Sequence, residues 1–207
     1  MNLQVCSSDR CKQGNRGGDS AEAGLLTARD ENRGEEAVSL LHKQGLSNVV
    51  FHQLDVLDKH GVPRLENYLK AQYGRLDILL AGKAVDLIQG SIKTTYEKAK
   101  ECLDTNYYGV KMVTEALLPL LQRSSQGARI VNISSLRSEL RRIPNEQRRK
   151  LLGDIDNLTE ETVDEILHNF LCDLKDGKLE ANGWQMMLPA YSISKATLHA
   201  YTRLVAK

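Results

Sequence analysis

An α/β fold with a doubly wound parallel sheet is predicted by three patterns in this chain. From Asp30 onward, helical and strand periods alternate. The strand-like stretches are short and apolar or β-branched, with Leu76–Ala81 of the kind buried on both faces, and glycines close the helices between them.

Taken in order, residues 31–44 read as a helix with Ala37, Val38, Leu40 and Leu41 inward, ended by Gly45. Asn48–Asp55 is a strand rich in β-branched residues. Pro63 sits near the start of a helix carrying Leu65, Tyr68 and Leu69, which Gly74 closes. Leu76–Ala81 is a short buried strand, residues 95–122 form a long helix, and Ala128–Ile133 is the next strand. The inward stripe of the long helix runs Ala99, Cys102, Leu103, Asn106, Val110, Val113, Leu117, Leu120. Its lone polar member, Asn106, needs partners if buried, and backbone groups of a neighbouring element are the plain source of them. Alternation of this kind implies right-handed crossovers. Ligands of such sheets lie beyond the carboxyl ends of the strands, where Asp55, Ser135 and the chain after Ala81 fall.

The ends of this core are less regular. Met1–Arg10 is mostly polar, so residues 1–24 are expected to be degenerate or disordered. Between Ser135 and Tyr191 stands an insertion, 136–190, with a clear amphipathic helix. Val163, Ile166, Leu167, Phe170, Leu171 and Leu174 line one face, and Glu160 and Glu161 mark its N-terminus.

Composition narrows the function. Lys plus Arg total 28 against 27 for Asp plus Glu, which leaves no global field for nucleic acid or an anionic membrane. Two basic stretches, Arg137–Arg142 and Arg148–Lys150, lack interleaved aromatics and read as solvated surface. No run approaches the ~20 apolar residues of a membrane span, and the N-terminus has no signal-like stretch, so a cytosolic protein is expected. Four cysteines are too few and scattered for a disulfide framework. Cys102 and Cys172 read as buried or part-buried thiols, and no metal site is expected.

The chemistry lies in Tyr191-Ser192-Ile193-Ser194-Lys195, read with the strand end Ile130-Val131-Asn132-Ile133-Ser134-Ser135. Four apart on a helix, Tyr191 and Lys195 share a face, and an ammonium that close favours the phenolate. A tuned phenol exchanges a proton with a substrate oxygen that a serine hydroxyl holds, which suits carbonyl–alcohol interconversion. Tyr96/Lys100 and Tyr107/Lys111 have the same spacing. Only the third pair follows a strand ending in two serines and opens a helix of small residues, Ala196 and Ala200.

These segments, with Leu26-Thr27-Ala28-Arg29-Asp30-Glu31, Leu54-Asp55-Val56, Leu76-Asp77-Ile78-Leu79 and Asn106-Tyr107-Tyr108-Gly109, resemble the short-chain dehydrogenase/reductase family. The likeness is strongest to its plant monomeric carbonyl-reductase branch, of the salutaridine reductase and menthone/neomenthol reductase kind. The resemblance implies an incomplete Rossmann-like reductase domain over 25–207 that uses NADPH on a small-molecule ketone or aldehyde. It implies Tyr191 as general acid and base, Lys195 lowering its pKa and holding the nicotinamide ribose, Ser135 positioning the substrate oxygen, and Asn106 anchoring a proton-relay water in a distorted helix. Ser135 is preferred to Ser134 as the second of the pair, the two lying on opposite strand faces. Arg29 falls where the family reads the adenosine 2′-phosphate, and a guanidinium suits phosphate, with Asp30 directly after it. Asp55 matches an adenine-contacting aspartate, or is simply a strand-end turn carboxylate. In that branch such an insertion covers the surface that tetrameric relatives use for association, so the resemblance implies a monomer.

The chain also departs from the family pattern. The glycine-rich turn survives only as Gln13-Gly14-Asn15-Arg16-Gly17-Gly18, with too few residues before Leu25 for the helix that should follow. Ala81-Gly82 replaces a motif with paired asparagines, and the chain stops at Lys207, inside the expected catalytic helix, before the family's last strands. Two readings follow: a working NADPH-dependent carbonyl reductase, or a catalytically defective, truncated family member or non-catalytic partner-binding protein. No residue names the substrate.

Overall fold

The structure is a computed structural model and describes residues 2–7 (backbone), 23–82, 95–125 and 127–207. The Gln13–Gly18 remnant and the chain just after Gly82 lie outside the described residues. Two compact units emerge, one of residues 1–84 with 112–133, the other of 85–111 with 134–207.

The first unit holds a five-stranded sheet. Strands β1 (Asn2–Ser7), β2 (Ala23–Ala28), β3 (Val49–Gln53), β4 (Ile78–Gly82) and β5 (Arg129–Asn132) stand in the order β3-β2-β1-β4-β5. This is the order of a doubly wound dinucleotide-binding sheet. β2 pairs with β3 and β4 with β5 in parallel, as the strand–helix–strand rhythm requires. Helix α1 (Glu31–Lys43) packs on β2 and β3. It comes so close that a Cβ on Gly34 would lie 2.0 Å from the Phe51 ring. Helix α2 (Gly61–Gln72) buries Val62, Leu65 and Leu69, and Gly45 and Gly74 take the left-handed conformation after α1 and α2.

Three expectations change here. Residues 2–7 are a strand despite their polarity. A slot between β2 and β4 offers two rows of backbone donors and acceptors, and pairing with them needs no apolar side chains. β1 runs antiparallel to both neighbours, with Leu3 opposite Thr27 and Ser7 opposite Ala23. It therefore ends at the sheet edge opposite the C-terminal ends of β2 and β3. Leu40 of α1 is exposed rather than inward, because Gly34 and Val38 define the buried stripe and Leu40 lies about 200° round from Val38.

The second unit is helical. The long helix is three segments in one run, α3 (Tyr96–Leu103), a π-helical turn Asp104–Tyr108, and α4 (Gly109–Leu121), of which residues from Met112 on belong to the first unit. The insertion supplies 3₁₀ turns at Leu136–Ser138 and Leu140–Arg142, then α5 (Glu146–Gly153) and α6 (Glu160–Lys175). α7 (Pro189–Val205) follows, with Ala206 as its C-cap. α6 buries Val163, Ile166, Leu167 and Phe170 as its period predicts, and it packs on α3, α5 and α7. One core joins these to Ala99, Leu103, Tyr107, Trp184, Ile193 and Tyr201. The basic stretches lie mostly at the surface, in local ion pairs, with Arg148 the more buried exception. Arg141 and Arg142 pair with Glu139, Lys150 with Glu146, and Arg148 lies 3.4 Å over the Trp184 ring. Cys102 is half-buried as expected. Cys172 is exposed, a correction with the same cause as Leu40: it stands two residues past buried Phe170, on the other side of α6.

Candidate active site

α7 begins under backbone strain. Leu188, just before Pro189, holds φ 51, ψ 57. A non-glycine residue there costs on the order of 1–3 kcal/mol, and such outliers cluster at functional sites. The entry is fastened locally. Ser192 N–H donates to the Leu188 carbonyl at 2.8 Å, and the Ser192 hydroxyl donates to the Met187 carbonyl at 3.0 Å. Tyr191 stands in this first turn, half-buried, and Lys195 follows one turn later at 2 % exposure.

Asn106 sits in the middle of the π turn, 5 % exposed. The turn matters because a π bulge shifts the backbone register and re-aims one side chain without ending the helix. Asn106 Nδ2 donates to Ser194 Oγ at 3.1 Å and to Cys102 Sγ at 3.4 Å. Ser194 in turn donates to the Tyr191 carbonyl at 2.9 Å. Asn106 Oδ1 is buried and has no partner among the described residues. The backbone partners expected for this amide are thus side chains instead, and one of them belongs to the Tyr191–Lys195 turn.

The two serines lie just past the end of β5 and differ in their surroundings. Ser134 is exposed and gives its hydroxyl proton to Ser138 Oγ at 2.7 Å. Ser135 is half-buried and caps the turn Leu136–Ser138, its Oγ accepting from Arg137 N–H at 3.2 Å. That hydroxyl gives its own proton to no acceptor among the described residues. Ser138, 4 % exposed, donates to the Ser135 carbonyl at 2.6 Å and so steadies the turn. α7 packs on this turn and on the π segment, so Ser135, Asn106, Tyr191 and Lys195 belong to one set of packed elements.

The other two Tyr–Lys pairs are engaged elsewhere. Lys100 binds Asp104 at 2.6 Å, and Tyr96 is exposed. Lys111 binds Glu160 of α6 at 2.6 Å. Tyr107 is fully buried, and that burial, with the Asp164 charge second, pushes its phenol far above the ordinary tyrosine range. Its neighbour Tyr108 is pushed up to about 12, again chiefly by burial. Both shifts go the wrong way for proton exchange near neutral pH.

In the first unit, Arg29 is exposed directly after β2, and the register Ala28–Gln53 brings it to the same sheet edge as Asp55. Asp30 is the N-cap of α1, its carboxylate accepting from Arg33 N–H at 2.9 Å. Asp55 makes a local turn by accepting from Leu57 N–H at 3.0 Å, which is the plainer of its two expected roles. Ala81-Gly82 is tightly packed, since a Cβ on Gly82 would lie 2.7 Å from Ile133. Ser194 and Ser138 were not among the residues expected at the site. Ser194 signals itself only as a hydroxyl in a run of buried positions, and Ser138, among Leu136, Arg137 and Glu139, gives no such signal. Among the described residues no group of three or more His, Cys, Asp or Glu could hold a metal, and no helix is long and apolar enough to cross a membrane.

Residues 19–145 match the family described as short chain dehydrogenase. Short-chain dehydrogenase/reductase 1 of Saponaria officinalis is 47 % identical, over 88 % of this chain and 68 % of that protein. The chain belongs to the short-chain dehydrogenase family. Salutaridine reductase of Papaver bracteatum is 44 % identical, over 88 % of this chain and 68 % of its own length. The solved menthone neomenthol reductase of Mentha piperita superposes with a TM-score of 0.80 at 37 % identity, covering 88 % of this chain and 75 % of that one. The expected family, its plant relatives and the doubly wound fold are thereby established, and with them an oxidoreductase lineage.

Proposed function

We propose that this chain carries the catalytic set of an NADPH-dependent carbonyl reductase, with Tyr191 as general acid and base. The observation that carries the reading is the bonded path Asn106–Ser194–Tyr191. Of three equally spaced Tyr–Lys pairs, only Tyr191/Lys195 is joined to a buried amide with a spare acceptor.

Tyr191 protonates the substrate carbonyl oxygen in reduction and accepts the proton in oxidation. Lys195, buried one turn away, favours the phenolate by its charge. Ser135, whose hydroxyl proton is uncommitted, donates to the same oxygen and fixes it. Asn106 Oδ1 is a seat for a water that passes protons toward Lys195. NADPH supplies the hydride when bound. Arg29 suits its 2′-phosphate, because Asp30 is already committed to the cap of α1 and does not compete for a ribose hydroxyl. Asp55 lies at the same edge for the adenine, and Lys195 would hold the nicotinamide ribose.

The pyrophosphate end fits less well. Its usual seat is a glycine-rich turn leaving the C-terminal end of the first strand into a helix, where backbone N–H groups and the helix dipole meet the charge. Here β1 is reversed and ends opposite the edge that holds Arg29 and Asp55. This favours the second reading for the isolated 207 residues: the acid–base residues are present and cofactor affinity is weak. A monomeric cytosolic protein is part of the same proposal, supported by α6 covering α3 and α7.

The test is NADPH oxidation followed at 340 nm with a panel of ketones and aldehydes at millimolar cofactor. Slow turnover that disappears in Tyr191→Phe supports the reading. Equal turnover with and without the phenol hydroxyl overturns it.

A further inference from the structure

We propose that Glu160 and Asp164 of the inserted helix α6 are positioning residues: they hold the helix just past the π turn and so keep the Asn106 amide on Ser194. This rests on the reading above only for the part that Asn106 plays in the reaction.

A π turn is a rare departure from the α register, and neighbouring groups must outweigh the ordinary helix for it to persist. Its signature here is one bond: Gly109 N–H donates to the Asp104 carbonyl, five residues back. Side chains tie this stretch to two other helices. Asn106 Nδ2 donates to Ser194 Oγ of α7 at 3.1 Å. The Tyr108 hydroxyl donates to the Asp164 carboxylate of α6. Lys111 Nζ lies 2.6 Å from Glu160 and 4.0 Å from Asp164. Tyr107, between Asn106 and Tyr108, is fully buried and meets Tyr108 and Tyr201 edge-on, at 5.0 and 6.0 Å.

One surplus residue in a helix turns everything past it by about 100° relative to everything before it. Ahead of the turn that phase is fixed by Ala99 and Leu103 of α3, both buried in the helical core. Just past it, Tyr108 and Lys111 are fixed on α6 by Asp164 and Glu160. With both ends held, the surplus residue has to be taken up between them, and that is where Asn106 stands. Without the two carboxylates, Tyr108 and Lys111 lose their attachments to α6. The helix can then turn back toward the α register and carry the Asn106 amide off Ser194.

Hydrogen exchange followed by NMR on the ¹⁵N-labelled 207-residue chain tests this without turnover, so a failure of the catalytic reading would not move the result. The probes are the Asn106 side-chain NH₂, assigned by its loss in Asn106→Ala, and the Gly109 backbone N–H. We expect Glu160→Gln and Asp164→Ala each to speed exchange at both probes by roughly threefold, as suits the loss of a partly exposed ionic contact. Lys111→Arg keeps the charge and should leave both rates unchanged. Tyr108→Phe removes only the bonded hydroxyl and should act as Asp164→Ala does, which keeps the test open if a carboxylate variant fails to fold. The backbone amides of Ile166 and Phe170, buried on α6, report on the fold at large and should hold their native rates. Equal acceleration there and at the two probes would mean that the contacts only stabilise the fold, and it overturns the positioning role. Native rates at Asn106 and Gly109 in all the variants also overturn it, because the turn would then hold without α6.

Discussion

Environment, rather than spacing, sets Tyr107 apart from the other tyrosines that have a lysine four residues on. Tyr107 is sealed in the core, and its hydroxyl has no partner among the described residues. An unmet buried hydroxyl costs about 1–3 kcal/mol, so Tyr107→Phe is expected to leave stability unchanged or raise it by about 1 kcal/mol. Urea unfolding measures this, and a clear loss of stability would mean that the hydroxyl is bonded after all. His52 gives a second residue-scale prediction. Its pKa is lowered, first by burial and then by the nearby Arg64 charge, against a backbone bond that raises it. The Tyr68 ring stands 4.9 Å away. A base with a depressed folded pKa binds its proton more readily when unfolded. Stability is therefore full above pH 6.5, the ordinary histidine value, and falls as pH drops through the folded pKa. His52→Gln should flatten the dependence of the urea midpoint between pH 7.5 and 5, and an unchanged slope would count against it.

At the scale of elements, legibility followed the side chains. Strands at 48–55, 76–81 and 128–133 were readable because short apolar, β-branched runs say where a strand lies whether or not it is buried, and the observed strands fall within a residue or two of them. α6 was readable because its stripe from Val163 to Leu174 keeps the helical period over about three turns. β1 was not, because a strand that fills a slot between two others is held by backbone bonds that composition does not record. The π turn was not either, because one extra residue in a helical turn leaves the apolar stripe nearly unbroken. The family resemblance, not the period, anticipated a distortion at Asn106. Within the site, Tyr191, Lys195 and Ser135 were legible as a motif. Ser194 was not, because its value depends on Asn106, 88 positions away.

Close approaches between elements give a sharper prediction. A Cβ on Gly61, the first residue of α2, would lie 2.3 Å from the Asp55 carbonyl oxygen, which is backbone and cannot swing aside. Gly61→Ala is expected to destabilise the first unit by at least the ~1–3 kcal/mol of an overpacked core and to disturb the Asp55 turn. At Gly34 the obstacle is the Phe51 ring, which has more freedom, so Gly34→Ala should cost less. Thermal unfolding of the pair checks the order, and a milder effect at Gly61 would contradict it.

Across the whole molecule the two units bear different parts of the proposed reaction. The helical unit carries Asn106, Ser135, Tyr191 and Lys195, and the sheet unit carries Arg29 and Asp55. What the sheet unit lacks at that edge is a first strand running parallel to its neighbours. Each missing charge-assisted bond to a pyrophosphate is worth roughly 1.5–3 kcal/mol, and two or three together weaken binding by several powers of ten. Replacing residues 1–24 with a parallel strand, glycine-rich turn and helix, restoring the paired asparagines near Ala81-Gly82 and adding the family's further strands should therefore raise both affinity and turnover. The turnover so gained should vanish in Tyr191→Phe.

Calorimetric titration of NADPH into the purified 207-residue chain decides the matter. The expected dissociation constant is about 1 mM or weaker, with the remaining heat lost in Arg29→Ala, since a guanidinium–phosphate contact of roughly 1.5–3 kcal/mol is a factor of about 10 to 100 in affinity. A micromolar constant that Arg29→Ala leaves unchanged would contradict both the role given to Arg29 and the weight placed on the reversed first strand.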